Sequence, residues 1–597
     1  MFKVLTLIAK GVVWAFAGPY RILLRAGDGV GEIGWLVSRS LAGVYLLGLV
    51  VTFGSCGILA RSTDPQVSYL GFATAIGVCV FGIFHINQII GRVRSNRRAA
   101  TFHGTARWAT DKEIALLSIP VGKPLPDGGF YVGHHKPKGR AEAQVKVCLP
   151  RSESVLHGIV FAPPGRGKSR GYSIPNCAWA KNTSIVTTDP KSEIFSLTSG
   201  YHERVLKYAP TEVNGSEVLN WIPLCGDARM SELCARAIVE SGNNEQTQQF
   251  WLDVETAFLS ALFSHASTLE EPTPLTAYRL FTRQTPEDLL EQLFDSSSEA
   301  AREQAMVFAQ TDPKIKGSIV PAVASKLQFL RDPNIARFTS ASLKAPDFGE
   351  LRRQPTAVYF CMREQDIARL RPLTSLFFSL MLEQIAGAEV PADSQGVPIT
   401  MILDEFVNIG TIPEFATTIS LARGRDVAIW LLVQSYSQFE ARYGKANAAT
   451  IITNCGTKIA LSGLDATTAA RVSEMLGDMT VVDTRPSQST PRGGWRSSST
   501  VGRTEHKRKL LTPDEVMRID RDKAIVRIGN RHPMLLSKIY YNEPPKTTQV
   551  RGIGPAIGID LALGKFRTRN QRKPMAVSAD EFYDELPPLP EPPHINL

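Results

Sequence analysis

The chain lacks any closely spaced pair of cysteines. Its eight, Cys56, Cys79, Cys148, Cys177, Cys225, Cys234, Cys361 and Cys455, include no C-x-x-C spacing. That excludes a zinc ribbon and a disulfide framework and leaves reduced, mostly buried thiols. No charge sign dominates either. The 67 Lys and Arg against 57 Asp and Glu give a net charge of +10, a mild bias toward polyanionic partners such as nucleic acid or anionic lipid. A chain of 597 residues also exceeds what one core organises, so about three or four structural units are expected.

Two stretches lack Asp, Glu, Lys and Arg altogether: Leu41 to Ala60 and Tyr69 to about Ile90. Each is long enough to cross a bilayer as a helix. Lys3, Lys10, Arg21, Arg25 and Arg39 precede the first, and Arg92, Arg94, Arg97 and Arg98 follow the second. The excess of basic residues on one side predicts a two-span anchor, residues 1–98, with both termini cytoplasmic and only about Arg61 to Ser68 outside. A cleaved signal peptide fits badly, because the first span begins some 40 residues in and a second follows at once. The shorter run Val4 to Ala17 contains Lys10 and reads as an interfacial helix.

What is present is organised around HGIVFAPPGRGKSRGYSIPN, His157 to Asn176. A strand-like run ends at Ala162, and Pro163, Pro164, Gly165, Arg166, Gly167, Lys168 and Ser169 follow. This A-x-x-x-x-G-K-S pattern, between a strand and a helix, predicts a phosphate-binding loop. Its glycines let backbone N–H groups curl around a phosphate, Lys168 reaches the β- and γ-phosphates, and Ser169 offers a hydroxyl to Mg²⁺. Pro175 is expected to end or kink the following helix.

Downstream, TSIVTTDPKSEIF is a second buried strand that delivers Asp189 and Lys191 to its carboxyl end, where an α/β sheet holds ligands. PITMILDEF delivers Asp404 and Glu405 in the same way, Asp404 for the Mg²⁺ shell and Glu405 to orient the attacking water. VAIWLLVQS ends at Gln434, whose amide can sense the γ-phosphate. From about Ser231 to Ala345 the spacing is helical, an insertion between two parts of one α/β domain. The expected division is a first nucleotide-binding part at 99–228, an all-helical insertion at 229–350, a second nucleotide-binding part at 351–545 and a tail at 546–597. The tail is basic and then acidic and proline-rich, which builds no core. Thr101 to Pro150 has no period strong enough to name an element. Thr484 to Lys509 is Ser/Gly/Arg-rich and reads as a solvated loop. Within it Arg492, Trp495 and Arg496 are nucleic-acid candidates, by stacking and phosphate contact.

With these residues in view the chain resembles the coupling proteins of type IV secretion and bacterial conjugation, the TraG-like family. The resemblance rests on FHGTARWAT, APPGRGKS followed by IPN, TTDPKSEIF, ITMILDEFVNIGTIPEF, WLLVQSYSQFEARYG with TNCGTKIALSG, and LLTPDEVMRI, in that order. It implies a homo-hexameric, RecA-like P-loop NTPase of the inner membrane with an all-α domain facing the substrate. Its cofactors would be ATP and Mg²⁺. Its partners would be single-stranded DNA with a relaxase, or protein effectors, and the components of a secretion channel. Arg423 and Arg425 lie just before the strand that ends at Gln434, which spans on the order of 23 Å. They are therefore too far to reach their own nucleotide, and the likeness to RecA-like ring motors favours Arg423 as the cation supplied to a neighbouring subunit. Two other readings stand beside this one: a receptor that uses nucleotide only as an assembly switch, and a chromosome-type DNA translocase. The second lacks here the carboxyl-terminal winged domain by which such proteins resemble one another. LSGLD at Leu461 lacks the second Gly and Gln of an ABC transporter signature.

Overall fold

The computed structural model describes residues 102–538 apart from 121–122, 138–144, 213–214, 243–248, 389–395 and 490–497. Both apolar runs near the start, the acidic tail, and the candidates Arg492, Trp495 and Arg496 lie outside the described residues. Among the described residues no helix is long and apolar enough to cross a membrane.

The described residues form two units: residues up to 106 together with Gly477–Lys509, and Arg107–Leu476 with the chain from Leu510 onward. The second holds a twelve-stranded sheet. Its strands are β1 (Ser118–Pro120), β2 (Phe130–His135), β3 (Val145–Leu149), β4 (Gly158–Phe161), β5 (Ser184–Asp189) and β6 (Val205–Tyr208). They continue with β7 (Ala357–Cys361), β8 (Ile399–Leu403), β9 (Val427–Val433), β10 (Thr457–Leu461), β13 (Lys523–Ile528) and β14 (Met534–Ser537); β11 (Asp478–Ser489) and β12 (Ser498–Lys509) belong to the first unit. Seven consecutive strands, β10-β4-β9-β8-β5-β7-β6, are parallel. Every residue of β4, β5, β7, β8 and β9 is buried, which is why all of these but β5 appear in the sequence as largely apolar runs rather than alternating ones.

The order of these strands sets up the site. β9 pairs with β4 on one side and β8 on the other. The loop after β4, the Asp-Glu pair after β8 and Gln434 after β9 therefore emerge side by side at the carboxyl edge, where open α/β sheets bind ligands.

Beyond β10 the sheet turns antiparallel through β13, β14, β2, β3 and β1. The sequence reading named no element in residues 101–150, yet three of these strands lie there. They are hard to read because Gly133, His134 and Lys146 stand in them. His134 is fully buried and bonded to the Tyr131 hydroxyl at 2.6 Å, and Lys146 is buried with its ammonium 4.6 Å from the centre of the Trp179 ring.

Between β6 and β7 every described element is helical. The helices start where the sequence supplies caps. Thr273, Thr285, Ser298, Asp312 and Asp332 each accept a first-turn N–H, and proline follows four of the five.

In the first unit, β11 and β12 form an antiparallel ladder from Asp478↔Lys509 to Ser489↔Ser498. This corrects the solvated loop expected from Thr484 to Lys509. None of the residues at 478–483 and 504–509 is buried, so the ladder stands on backbone hydrogen bonds and leaves no apolar alternation to read. Asp478 adds ion pairs to Lys507 at 2.9 Å and Lys509 at 3.2 Å.

Candidate active site

The loop from Ala162 to Lys168 leaves β4 at its carboxyl end, where the Ala162 N–H bonds the Val433 carbonyl at 2.9 Å. Gly165 and Gly167 have φ of 72° and 79°, a left-handed backbone that only glycine adopts freely. These two turns curl the loop. The helix it enters is wound in two ways, as a π-helical turn over Ser169–Ser173 and an α-helix over Ile174–Trp179. Pro175 lies at this junction. Lacking an N–H, it cannot complete an α-helical bond to the preceding turn, and the wider turn absorbs the gap. So Pro175 marks a change of winding, and the helix runs on to Trp179. Asn176 ties the helix to β2: its Oδ1 accepts the Tyr131 N–H at 2.7 Å, and its Nδ2 donates to the Tyr131 and Tyr172 carbonyls at 3.1 and 2.9 Å.

Lys168, Ser169, Asp404, Glu405 and Gln434 converge. The buried Lys168 ammonium lies 3.0 Å from Asp404 Oδ1 and 2.5 Å from Glu405 Oε1. Burial opposes its charge, but the two carboxylates outweigh burial and hold its pKa above the ordinary lysine value. Asp404 is 2% exposed and fully engaged. Oδ1 also accepts the Glu405 N–H at 2.9 Å, while Oδ2 accepts the hydroxyls of Ser169 and, at 3.2 Å, Ser173. Its backbone carbonyl accepts the Thr188 hydroxyl at 2.6 Å. Glu405 has φ of 54°, a region that costs a non-glycine residue on the order of 1–3 kcal/mol and clusters at functional sites. Gln434 Nε2 donates to its Oε2 at 2.8 Å, and Asn408 Nδ2 does so at 3.4 Å.

Asp189 ends β5 and lines the same cleft as Thr188, Asp404, Glu405 and Asn408. Its carboxylate faces the start of the helix Glu193–Thr198 and accepts the Phe195 N–H at 2.7 Å. Burial raises its pKa to about 6 against the opposing pull of those backbone donors. Lys191 is exposed and paired with Glu364 at 3.2 Å, outside the converging group. Arg423 and Arg425 form an exposed turn at the opposite end of β9 from Gln434.

Three residues escaped the sequence reading. Ser173, one helical turn beyond Ser169, was legible only once Asp404 was known to face that side. Asn408 needed the turn that follows Glu405. His157, at φ of 61°, is buried just before β4. Its Nε2 meets the Ile419 carbonyl at 2.8 Å and its Nδ1 accepts the Ile429 N–H at 3.1 Å. It thereby joins the helix leading to Arg423 to the strand leading to Gln434.

Hard oxygen donors from a hydroxyl and a carboxylate, beside a glycine-curled loop and a buried lysine, suit Mg²⁺ with a phosphorylated nucleotide. The strand order and the loop after β4 give a RecA-like, phosphate-loop fold. The chain belongs to the type IV secretory system conjugative DNA transfer family, whose sequence model matches residues 107–578. It is 25% identical over 504 residues to the protein VirD4 of Rhizobium rhizogenes, covering 79% of this chain and 71% of that one. It is 26% identical over 472 residues to the conjugal transfer protein TraG of Escherichia coli, covering 70% of this chain and 71% of that one. In structure it is similar to the bacterial conjugative coupling protein TrwBdeltaN70, with a TM-score of 0.55 at 16% identity over 74% of this chain and 94% of that one. It is similar also to the plasmid coupling protein TrwB in complex with a non-hydrolysable ATP analogue, with a TM-score of 0.55 at 16% identity, over 76% and 95%. At that identity the likeness establishes the fold.

Proposed function

We propose that this protein is a membrane-anchored, hexameric ATPase that brings single-stranded DNA with its attached relaxase, or protein effectors, to a type IV secretion channel. ATP hydrolysis would drive their passage. The observation that carries this reading is the grip on Glu405, whose two oxygens are held by Lys168 at the end of the loop after β4 and by Gln434 after β9. A nucleotide used only as an assembly switch needs no such carboxylate.

Ser169 and Asp404 would hold Mg²⁺, which neutralises charge on the β- and γ-phosphate oxygens. Lys168 is now shared between two carboxylates. A triphosphate competes for the same ammonium and so releases one oxygen of Glu405 to accept a hydrogen bond from water. Gln434 stays on the other oxygen and reports the state of the site along β9. Arg423, at the far end of that strand, serves the neighbouring subunit in the ring. The two uncharged runs near the start anchor the ring in the bacterial inner membrane with the motor in the cytoplasm, and the helical segment 229–350 faces the substrate. Between β11 and β12, Arg492, Trp495 and Arg496 contact single strands by charge and stacking.

The test is nucleotide binding and turnover by the full chain with and without single-stranded DNA. Lys168→Ala is expected to lose both affinity and turnover. Glu405→Gln is expected to bind ATP normally while turnover falls on the order of 10²–10⁴-fold. Equal loss of affinity in both variants would refute this assignment of roles.

A further inference from the structure

Where β14 ends, Lys538 turns back toward the phosphate loop. Its backbone N–H bonds the Asp522 carbonyl at 2.8 Å, and its side chain is buried. The aliphatic stem passes the turn after the loop, 3.9 Å from where a Cβ on Gly171 would stand. The ammonium donates to the backbone carbonyl of Arg166 at 3.0 Å. The same residue also lies close to a second segment. The Arg166 guanidinium lies over Gly463, beyond the end of β10, where a Cβ would approach its Nε to 2.7 Å. Residue 166 stands between the two left-handed glycines, and Lys538 holds its carbonyl.

The direction of that carbonyl matters for the chemistry. The Arg166 C=O and the Gly167 N–H belong to one planar trans peptide and point in opposite directions. Whatever holds the carbonyl outward also aims the amide inward.

We propose that Lys538 is a positioning residue for the phosphate loop: by holding the Arg166 carbonyl it turns the Gly167 N–H toward the nucleotide phosphate. The proposal rests on the reading of this loop as an ATP site. Reversal of that one peptide would present a carbonyl oxygen to the phosphate in place of a donor. Lys538 acts through the Arg166–Gly167 peptide, so its loss acts on affinity and leaves the groups around Glu405 in place. The charged groups facing its ammonium are Asp522, Arg521 and Arg166. Burial is the largest influence and, with the two arginines, outweighs Asp522, bringing its pKa down to about 8. Its proton is thus lost progressively as pH rises through about 8.

The experiment compares wild type, Lys538→Met and Lys538→Arg as full chains, measuring affinity for a fluorescent ATP analogue and the KM and kcat of ATP hydrolysis. Lys538→Met is expected to weaken binding and raise KM about tenfold, as loss of a hydrogen bond from a charged donor implies, with kcat within twofold of wild type. Lys538→Arg is expected to recover most of the affinity. Wild-type affinity is expected to fall as pH rises from 7.5 to 9, while that of Lys538→Arg stays flat, since a guanidinium keeps its proton. Unchanged affinity in Lys538→Met overturns the proposal, as does a Lys538→Arg variant no better than Lys538→Met. Wild-type protein that binds no nucleotide overturns the reading of the loop itself, and this proposal with it.

Discussion

Gln434 donates from Nε2 to Glu405 Oε2 at 2.8 Å, joining the end of β9 to the second residue after β8. Two neighbouring parallel strands are thereby coupled at the point where water would be oriented. Replacing Gln434 with Ala leaves the phosphate loop, Lys168 and Asp404 untouched but leaves Glu405 Oε2 with only the longer contact from Asn408 at 3.4 Å. The expected outcome is ATP affinity within a few-fold of wild type and kcat lower by on the order of 10²-fold, the scale of losing one orienting donor. A parallel loss of affinity, measured by equilibrium binding, would instead mean that Gln434 supports the loop.

His157 gives a prediction about acid stability. Burial lowers its pKa to about 4, against a backbone acceptor that favours the proton. The folded state therefore holds it neutral while the unfolded chain takes up a proton near pH 6.5. Its contribution is complete above pH 6.5 and is lost as pH falls from there toward 4, on the order of 3 kcal/mol in all. The stability difference between wild type and His157→Phe, from urea unfolding, should shrink across that window. A constant difference would show that the histidine is not titrating against the fold.

Asp189 has the opposite sign. Its folded pKa of about 6 lies above the ordinary aspartate value, so the folded state binds the extra proton between about pH 4 and 6 and ionisation costs stability as pH rises through that range. Asp189→Asn keeps an oxygen for the Phe195 N–H and removes the charge. It should be more stable than wild type at pH 7, by at most about 3 kcal/mol, and close to it at pH 4. Calorimetry at the two values checks this, and a penalty at pH 7 would indicate that the carboxylate charge is needed by the N–H groups it faces.

The parts of this molecule legible in its sequence are those whose physics is local. The phosphate loop depends on glycines and a lysine at fixed offsets, and Asp404, Glu405 and Gln434 follow strands so apolar that only a buried parallel sheet accommodates them. What could not be read depends on convergence. Lys146 in β3 looks like a surface residue until Trp179 and the Lys123 carbonyl are found around it. Ser173 and Asn408 have no signature of their own and acquire a role only because Asp404 and Glu405 arrive beside them from another strand. The ladder of β11 and β12 escaped for a different reason: where its burial is described it has no buried face, and period-two patterning records burial rather than hydrogen bonding.

The last prediction concerns Arg423. The charge that spreads over a γ-phosphoryl group in transfer calls for a cation beyond Lys168 and Mg²⁺. Arg423 is exposed, in the turn Arg423–Arg425 at the start of β9, and Gln434 lies past the far end of that seven-residue strand. A path on the order of 23 Å separates it from its own phosphate loop, which in the proposed ring would direct it to a neighbour's. His157 fixes the end of the helix before it through the Ile419 carbonyl and the strand after it through the Ile429 N–H. The turn is thus held on both sides while its arginines face solvent. Arg423→Ala is expected to lower turnover of assembled rings by on the order of 10³-fold with little change in ATP affinity. Mixing Arg423→Ala chains with Glu405→Gln chains, each inactive alone, should restore part of the ATPase activity, because some interfaces then join an intact Glu405 to an intact Arg423. Absence of complementation in mixed rings whose assembly is verified by mass would assign Arg423 to its own subunit or to none.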